Sequence, residues 1–185
     1  ADRGICFLRD KGIRPTHIVG DFASASGDAL EYFRRFPEIP IRKFNPVKDL
    51  TDTEIAMNLA IEIGAERIFI LGGTGTRLDH VVANIKLLAM ALEQGKECIL
   101  LDEHNRIRLT DQPMKIRKTE QYGKYVSLFA FGGQVTGLTL RGFFYPLTEY
   151  DMTPENPIGV SNEITAENGE ISFSSGMLLV MESKD

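Results

Sequence analysis

The sequence predicts an open, largely parallel α/β domain over residues 1–103 followed by an all-β domain over residues 104–185. Three observations carry that prediction. From Ile5 to about Leu101, short β-branched or aliphatic runs alternate with longer helical patterns, as in βαβ units. After about Glu103 the helical period disappears, and short alternating runs follow one another, separated by Gly, Pro, Asn and Asp. Between the two, Asp102 to Asn105 is a short polar connection rather than a linker.

In the first half, strands are expected at His17 to Val19, Arg42 to Phe44, Arg67 to Leu71 and Glu97 to Leu101. Thr53 to Ile63 places Ile55, Leu59 and Ile63 at helical spacing, and Leu78 to Leu92 carries Val81, Ile85, Leu88 and Leu92 on one stripe, so both segments should be helices packed on the sheet. Gly64 and Gly95 fall just past these patterns, where a helix ends in a left-handed residue. In the second half the runs RIRL, MKIRK, YVSLFAF, VTGLTL, EITAE, EISFS and MLLVME read as strands. Asn168-Gly169, between EITAE and EISFS, predicts a tight hairpin. About 80 residues make a small independent core, so this half should lean on the first half or on a second copy of the chain.

Composition narrows the functional classes. The chain has 185 residues, 43% hydrophobic and 25% charged, the balance of an ordinary folded domain. Its longest apolar runs, such as Ile68 to Leu71 and Met177 to Met181, fall far short of the roughly 20 residues that span a bilayer. A net charge of -5, from 21 basic and 26 acidic side chains, disfavours nucleic acid as a partner. Cys6 and Cys98 sit in apolar contexts without metal-ligand spacing, which predicts two buried thiols and a reducing, cytoplasmic setting. The opening ADRGICFLRD carries no signal-peptide pattern.

In open α/β sheets, ligands bind beyond the carboxyl ends of the strands. Those positions are acidic and glycine-rich here: Gly20-Asp21-Phe22-Ala23-Ser24, Asn45 to Asp52, and Gly72-Gly73-Thr74-Gly75-Thr76-Arg77-Leu78-Asp79-His80. Carboxylates, Lys48, Arg77 and a glycine loop on one edge suit a metal-bound polyphosphate. Plainer roles stay open for each piece. Asp21 could cap a helix beginning near Ser24, and Thr51-Asp52-Thr53-Glu54 reads equally as a capping sequence. Arg77 and Asp79 could be a surface pair, and Gly72 to Thr76 lacks the Lys-Ser/Thr of a P-loop.

Motif order separates these readings. D-x-G at Asp2 to Gly4, P-x-x-I-V-G-D-F-x-S at Pro15 to Ser24, K-D-x-T-D-T-E at Lys48 to Glu54 and G-x-T-G-x-R-L-D-H across Gly73 to His80 come in sequence. G-x-S-N-E at Gly159 to Glu163 and G-x-L-L-V at Gly176 to Val180 follow. Along essentially the whole chain this set resembles the thiamin pyrophosphokinase family of bacterial type. The resemblance implies an α/β nucleotide-binding domain, a C-terminal β-sandwich that binds thiamin, and Mg²⁺-dependent transfer of pyrophosphate from ATP to the thiamin hydroxyl. It also implies a homodimer whose active site lies between the catalytic domain of one subunit and the β domain of the other. Carried across, Asp2 and Asp21 are metal-binding carboxylates, and Asp21, Asp52, Arg77 and Asp79 are catalytic. Lys48, Thr51, Gly73, Thr74 and Arg77 contact nucleotide or substrate, and Ser161 and Asn162 line the thiamin pocket.

Two departures accompany the resemblance. The family's D-F-D-S reads Asp21-Phe22-Ala23-Ser24, so an alanine stands where a second carboxylate is expected. Mg²⁺ commonly keeps several waters, so such a site is weakened rather than abolished; the alternative reading is a protein that binds thiamin or its diphosphate without turnover. The family also has a strand before D-x-G, whereas Ala1 directly precedes that motif here.

Overall fold

The structure, a computed structural model, describes all residues except 23, 24, 26 and 46–48, and divides into two compact units, Ala1–Glu66 and Arg67–Asp185. In the first unit, α1 (Gly4–Asp10), β1 (Ile18–Gly20), α2 (Gly27–Arg34), β2 (Ile41–Lys43) and α3 (Asp52–Glu62) follow in order. β1 and β2 pair in parallel, with Ile18 opposite Ile41 and Gly20 opposite Lys43. α1 and α2 close one small core around Ile5, Ile18, Ala29, Phe33 and Ile39. Val19 points away from that core and meets Ile55 and Leu59 of α3, so the strand is buried on both faces, as parallel strands usually are.

The second unit begins with β3 (Arg67–Leu71), α4 (Leu78–Glu93) and β4 (Glu97–Leu101), a βαβ unit whose strands pair in parallel from Arg67–Glu97 to Leu71–Leu101. α4 buries Asn84, Leu87, Leu88 and Ala91. The chain then turns through Asp102 into β5 (Asn105–Thr110), antiparallel to β4, so the sheet continues straight into the β-rich half. β6 (Met114–Arg117), a short 3₁₀ turn at Lys118–Glu120, β7 (Tyr125–Arg141), β8 (Leu147–Met152), β9 (Asn162–Glu163), β10 (Asn168–Ser172) and β11 (Ser175–Ser183) complete it. The strand order is β3-β4-β5-β11-β7-β10-β6, with β8 and β9 also paired to β7. Residues 125–131 of β7 pair with β11, whereas residues 139–141 pair with β10, so this one long strand serves both ends of a curled sheet. Inside the curl lies the largest core, including Val126, Leu128, Leu138, Leu140, Met152 and Val180.

The expected architecture is present, with differences in detail. The four expected strands and two expected helices occur within a residue or so of their predicted bounds, and Gly64 and Gly95 have φ of 87° and 68° at the helix ends. α1 is additional, and α2 starts at Gly27, three residues past the start near Ser24 that the sequence allowed. β5 of the β-rich half pairs with β4, and both strands lie in the unit Arg67–Asp185. Cys98 is buried as expected, but Cys6 is only half-buried.

The hairpin expected at Asn168-Gly169 does not form. Both residues lie inside β10, opposite Arg117 and Ile116 of β6. Gly169 is needed for space rather than for a turn, because a Cβ there would sit 2.7 Å from the Phe143 ring and 2.8 Å from the Ile164 side chain.

Candidate active site

In the first unit, three carboxylates converge. Asp2 is held beside the end of β1 by its backbone N–H, which donates to Val19 O at 3.0 Å, and has a φ of 37°, a left-handed value that aspartate tolerates better than most residues. Asp21 follows Gly20 at the carboxyl end of the same strand. Asp52 is the first residue of α3, whose N-terminus is capped by Thr51; the Thr51 hydroxyl accepts from Glu54 N–H at 3.2 Å. One carboxylate oxygen from each of Asp2, Asp21 and Asp52 lies within 4.8 Å of the others, and all three residues are half-buried. At a distance of 4 Å, two unit charges repel by about 4 kcal/mol in the effective dielectric near a protein surface. A set of three carboxylate oxygens so placed is suited to a hard divalent cation.

The structure therefore joins Asp52 to the two expected metal-binding residues. Thr51 is seen as the helix cap that fixes where Asp52 sits. Lys48 and Ala23 lie outside the described residues. Val19, Phe44, Leu50, Ile55 and Leu59, with Arg42 and Glu62 paired at 3.8 Å, line a largely apolar cavity of about 270 Å³ in the same unit.

In the second unit, the loop after β3 has an anchored base and an exposed tip. Gly73 is buried and accepts a hydrogen bond through its carbonyl from Asn84 Nδ2 of α4 at 2.8 Å. Thr74 is half-buried; burial pushes the Asp102 carboxyl at the end of β4 up, but the Thr74 side chain, with His104 and Asn105, holds it below its ordinary value. Gly75, Thr76 and Arg77 are exposed. Arg77 grips Asp79 bidentately, Nη2 to Oδ2 at 2.6 Å and Nε to Oδ1 at 3.2 Å, and Asp79 also accepts from His80 N–H at 2.9 Å. The Arg77 contact holds the Asp79 carboxyl down at about 2. The pair is the exposed surface pair the sequence allowed, at 70% and 66% side-chain exposure, and it presents a fixed guanidinium at the start of α4.

In the β-rich half, Ser161 is exposed with φ of 56°, and its N–H donates to Ser127 Oγ at 3.0 Å. Asn162 is buried, and its amide is committed to backbone: Oδ1 accepts from Tyr145 N–H and Glu163 N–H, each at 2.9 Å, and Nδ2 donates to Tyr145 O at 2.7 Å. This bracket fixes the segment carrying Phe144 and Tyr145. Their rings stack edge to face at 4.8 Å and are 63% and 62% exposed. These aromatics were not among the expected site residues, although the run Phe143-Phe144-Tyr145 is visible in the sequence.

Comparison with known proteins decides the family. Residues 1–100 match the thiamin pyrophosphokinase catalytic domain, and residues 112–178 match the thiamin pyrophosphokinase vitamin B1 binding domain. The chain belongs to the thiamin pyrophosphokinase family. A curated relative, thiamine pyrophosphokinase of Bacillus subtilis (strain 168), is 30% identical over 184 residues, covering 100% of this chain and 86% of the relative. The crystal structure of thiamine pyrophosphokinase from Bacillus subtilis superposes with a TM-score of 0.91 at 32% identity, covering 100% of this chain and 86% of that one. That of thiamin pyrophosphokinase from Geobacillus thermodenitrificans gives 0.86 at 32% identity, with 100% and 84% covered. Among the described residues, no helix is long and apolar enough to cross a membrane.

Proposed function

We propose that this family member is an active thiamine diphosphokinase, transferring pyrophosphate from ATP to the hydroxyl of thiamin to give thiamin diphosphate and AMP. The observation that carries this reading is the Asp2, Asp21 and Asp52 trio, three carboxylates from separate motifs that meet at one point. The donor set fits Mg²⁺, which when bound would offset charge on the polyphosphate. Asp52 orients the attacking hydroxyl and takes its proton. Arg77, held by Asp79, meets phosphoryl oxygens, as do the Gly73–Thr74 loop and Lys48. Thr51 sets the position of Asp52. Ser161, Asn162 and the Phe144–Tyr145 pair bind thiamin, with Asn162 acting on the aromatic segment through its backbone. Residues 1–103 serve the nucleotide and residues 104–185 serve thiamin, in a cytoplasmic homodimer.

The test is AMP and thiamin diphosphate production by purified protein, beside Ala23→Asp and Asp21→Asn proteins. Product that requires thiamin and Mg²⁺ is expected from the first two. Asp21→Asn should weaken Mg²⁺ binding at least about ten-fold, since a lost ligand or its support costs on that order. Product from Ala23→Asp protein alone rejects native catalysis and leaves a binding role. Sedimentation velocity checks the dimer.

A further inference from the structure

We infer that Asn84 is a positioning residue that holds the Gly73–Thr74 loop in the geometry that receives the nucleotide's phosphates. The inference rests on the assignment of that loop to ATP made above. Asn84 lies on the buried face of α4, among Leu87, Leu88 and Ala91, and is only 6% exposed. An amide in such a place is unfavourable unless it is hydrogen-bonded, and a leucine or alanine would serve the packing. Its Nδ2 donates to the Gly73 carbonyl at 2.8 Å. Gly73 is pressed against this contact: a Cβ there would come within 2.6 Å of Leu100 Cδ1, 2.9 Å of Ile70 Cγ2 and 3.1 Å of Asn84 Nδ2.

The neighbouring strand ends beside the same loop. Leu71 and Leu101 are register partners, so Gly72 leaves β3 where Asp102 leaves β4. The Asp102 carboxylate is itself immobilised, accepting at Oδ1 from the His104 and Asn105 N–H groups, each at 2.7 Å, and from Asn105 Nδ2 at 3.1 Å. Its backbone N–H donates to Asn105 O at 3.0 Å, and its carbonyl accepts from the Tyr122 hydroxyl. The strand end beside the loop is thus fixed before any ligand arrives. With Gly73 held from the helix side and packed against Leu100 and Ile70, the exposed residues Gly75 to Arg77 start from a rigid base. Rigidity before binding removes part of the ordering cost of seating a charged ligand.

The experiment is calorimetric titration of Mg²⁺-ATP into wild-type, Asn84→Leu and Asn84→Ala proteins, with KM for ATP and for thiamin and the thermal midpoint measured on each. Both variants remove the donor to the Gly73 carbonyl and should weaken ATP about ten-fold, the scale of one lost buried hydrogen bond. KM for thiamin should stay within two-fold, which a general loss of structure would not spare. Asn84→Ala adds no bulk, so it keeps the test available should Asn84→Leu fail to fold. ATP affinity unchanged in both variants overturns the inference, as does a rise in KM for thiamin equal to that for ATP. Wild-type protein that binds ATP but forms no thiamin diphosphate refutes the proposed reaction, while the variants' ATP affinities still decide the role of Asn84.

Discussion

Replacing Glu182 by leucine probes the joint between β5 and β11. Glu182 is fully buried, yet its carboxylate accepts from Arg106 Nε at 2.8 Å, Arg106 Nη2 at 2.6 Å, Arg108 Nη2 at 2.6 Å and Tyr122 N–H at 2.9 Å. Register explains the convergence. Glu182 is directly opposite Arg106, and Arg108 is opposite Val180, two residues away on the same face. The two arginine side chains are 24% and 22% exposed, so neither charge has easy recourse to water. Burial draws the Arg108 guanidinium below its ordinary value, and Arg106 pushes the same way, while Glu182 opposes both. Removing Glu182 leaves two neighbouring cations facing each other without the anion.

The expected loss is about 3–5 kcal/mol, the cost of breaking a buried ion pair from one side. At roughly 2–4 °C per kcal/mol for a chain of this size, the thermal midpoint should drop by roughly 6–20 °C. Differential scanning calorimetry or circular dichroism reads this directly. Glu31→Ala is the control, because the Glu31–Arg34 pair on α2 is 65% and 55% exposed and such pairs are worth about 1 kcal/mol or less. A Glu182→Leu protein no less stable than Glu31→Ala would refute the claim that this carboxylate holds the two strands together.

Two further outcomes follow from packing and burial. Gly73→Ala places a methyl group 2.6 Å from Leu100 Cδ1 and should destabilise by about 1–3 kcal/mol in urea unfolding; an unchanged midpoint would show that the loop yields freely. Burial pushes the Cys98 thiol from its ordinary 9.0 up to about 11, so iodoacetamide at pH 8.5 should leave Cys98 unlabelled until denaturant is added, as mass spectrometry would show. The unfolded thiol loses its proton from about pH 9 and the folded one only near 11, so this residue's contribution to stability falls across that window.

Much of the fold was legible because its strongest signals are local. Ile68 to Leu71 and Cys98 to Leu101 are apolar runs bounded by charge and glycine, and they became β3 and β4 at their predicted bounds. α1 was not read, and α2 was only allowed for as a helix beginning near Ser24, for physical reasons. α1 spans only seven residues, too few to display a period, and its sole buried residue is Ile5. α2 buries Ala29 and Phe33 at i and i+4, with Leu30 and Tyr32 partly buried on the same core, but it is only eight residues long and opens on glycine, so its helicity depends on the core it closes. Asn168-Gly169 misled because glycine answers two demands, a turn or a close approach, and only the Phe143 and Ile164 side chains decide between them.

The candidate site divides along the same line. Groups that would meet metal or phosphate must be of particular chemical types, and they sit where chain direction puts them, at strand ends and helix starts. Asp2, Asp21, Asp52, Arg77 and Asp79 could therefore be named from sequence. Their supports carry no such signature. Asn84 sits one position before Ile85 in a helical stripe and reads as ordinary polar surface until Gly73 is found against it. Asp102 reads as part of a connection until the β3–β4 register sets it beside the glycine loop. Asn162 was named, but as a group facing ligand, whereas its amide is spent on Tyr145 and Glu163. Asn84 and Asn162 act on backbone away from their own segment, at Gly73 and Tyr145. Such a role depends on which segment packs alongside, and no local spacing encodes that. Variants of these supports should therefore change affinity through the geometry of a neighbouring loop, a pattern distinct from the loss of a ligand-contacting group.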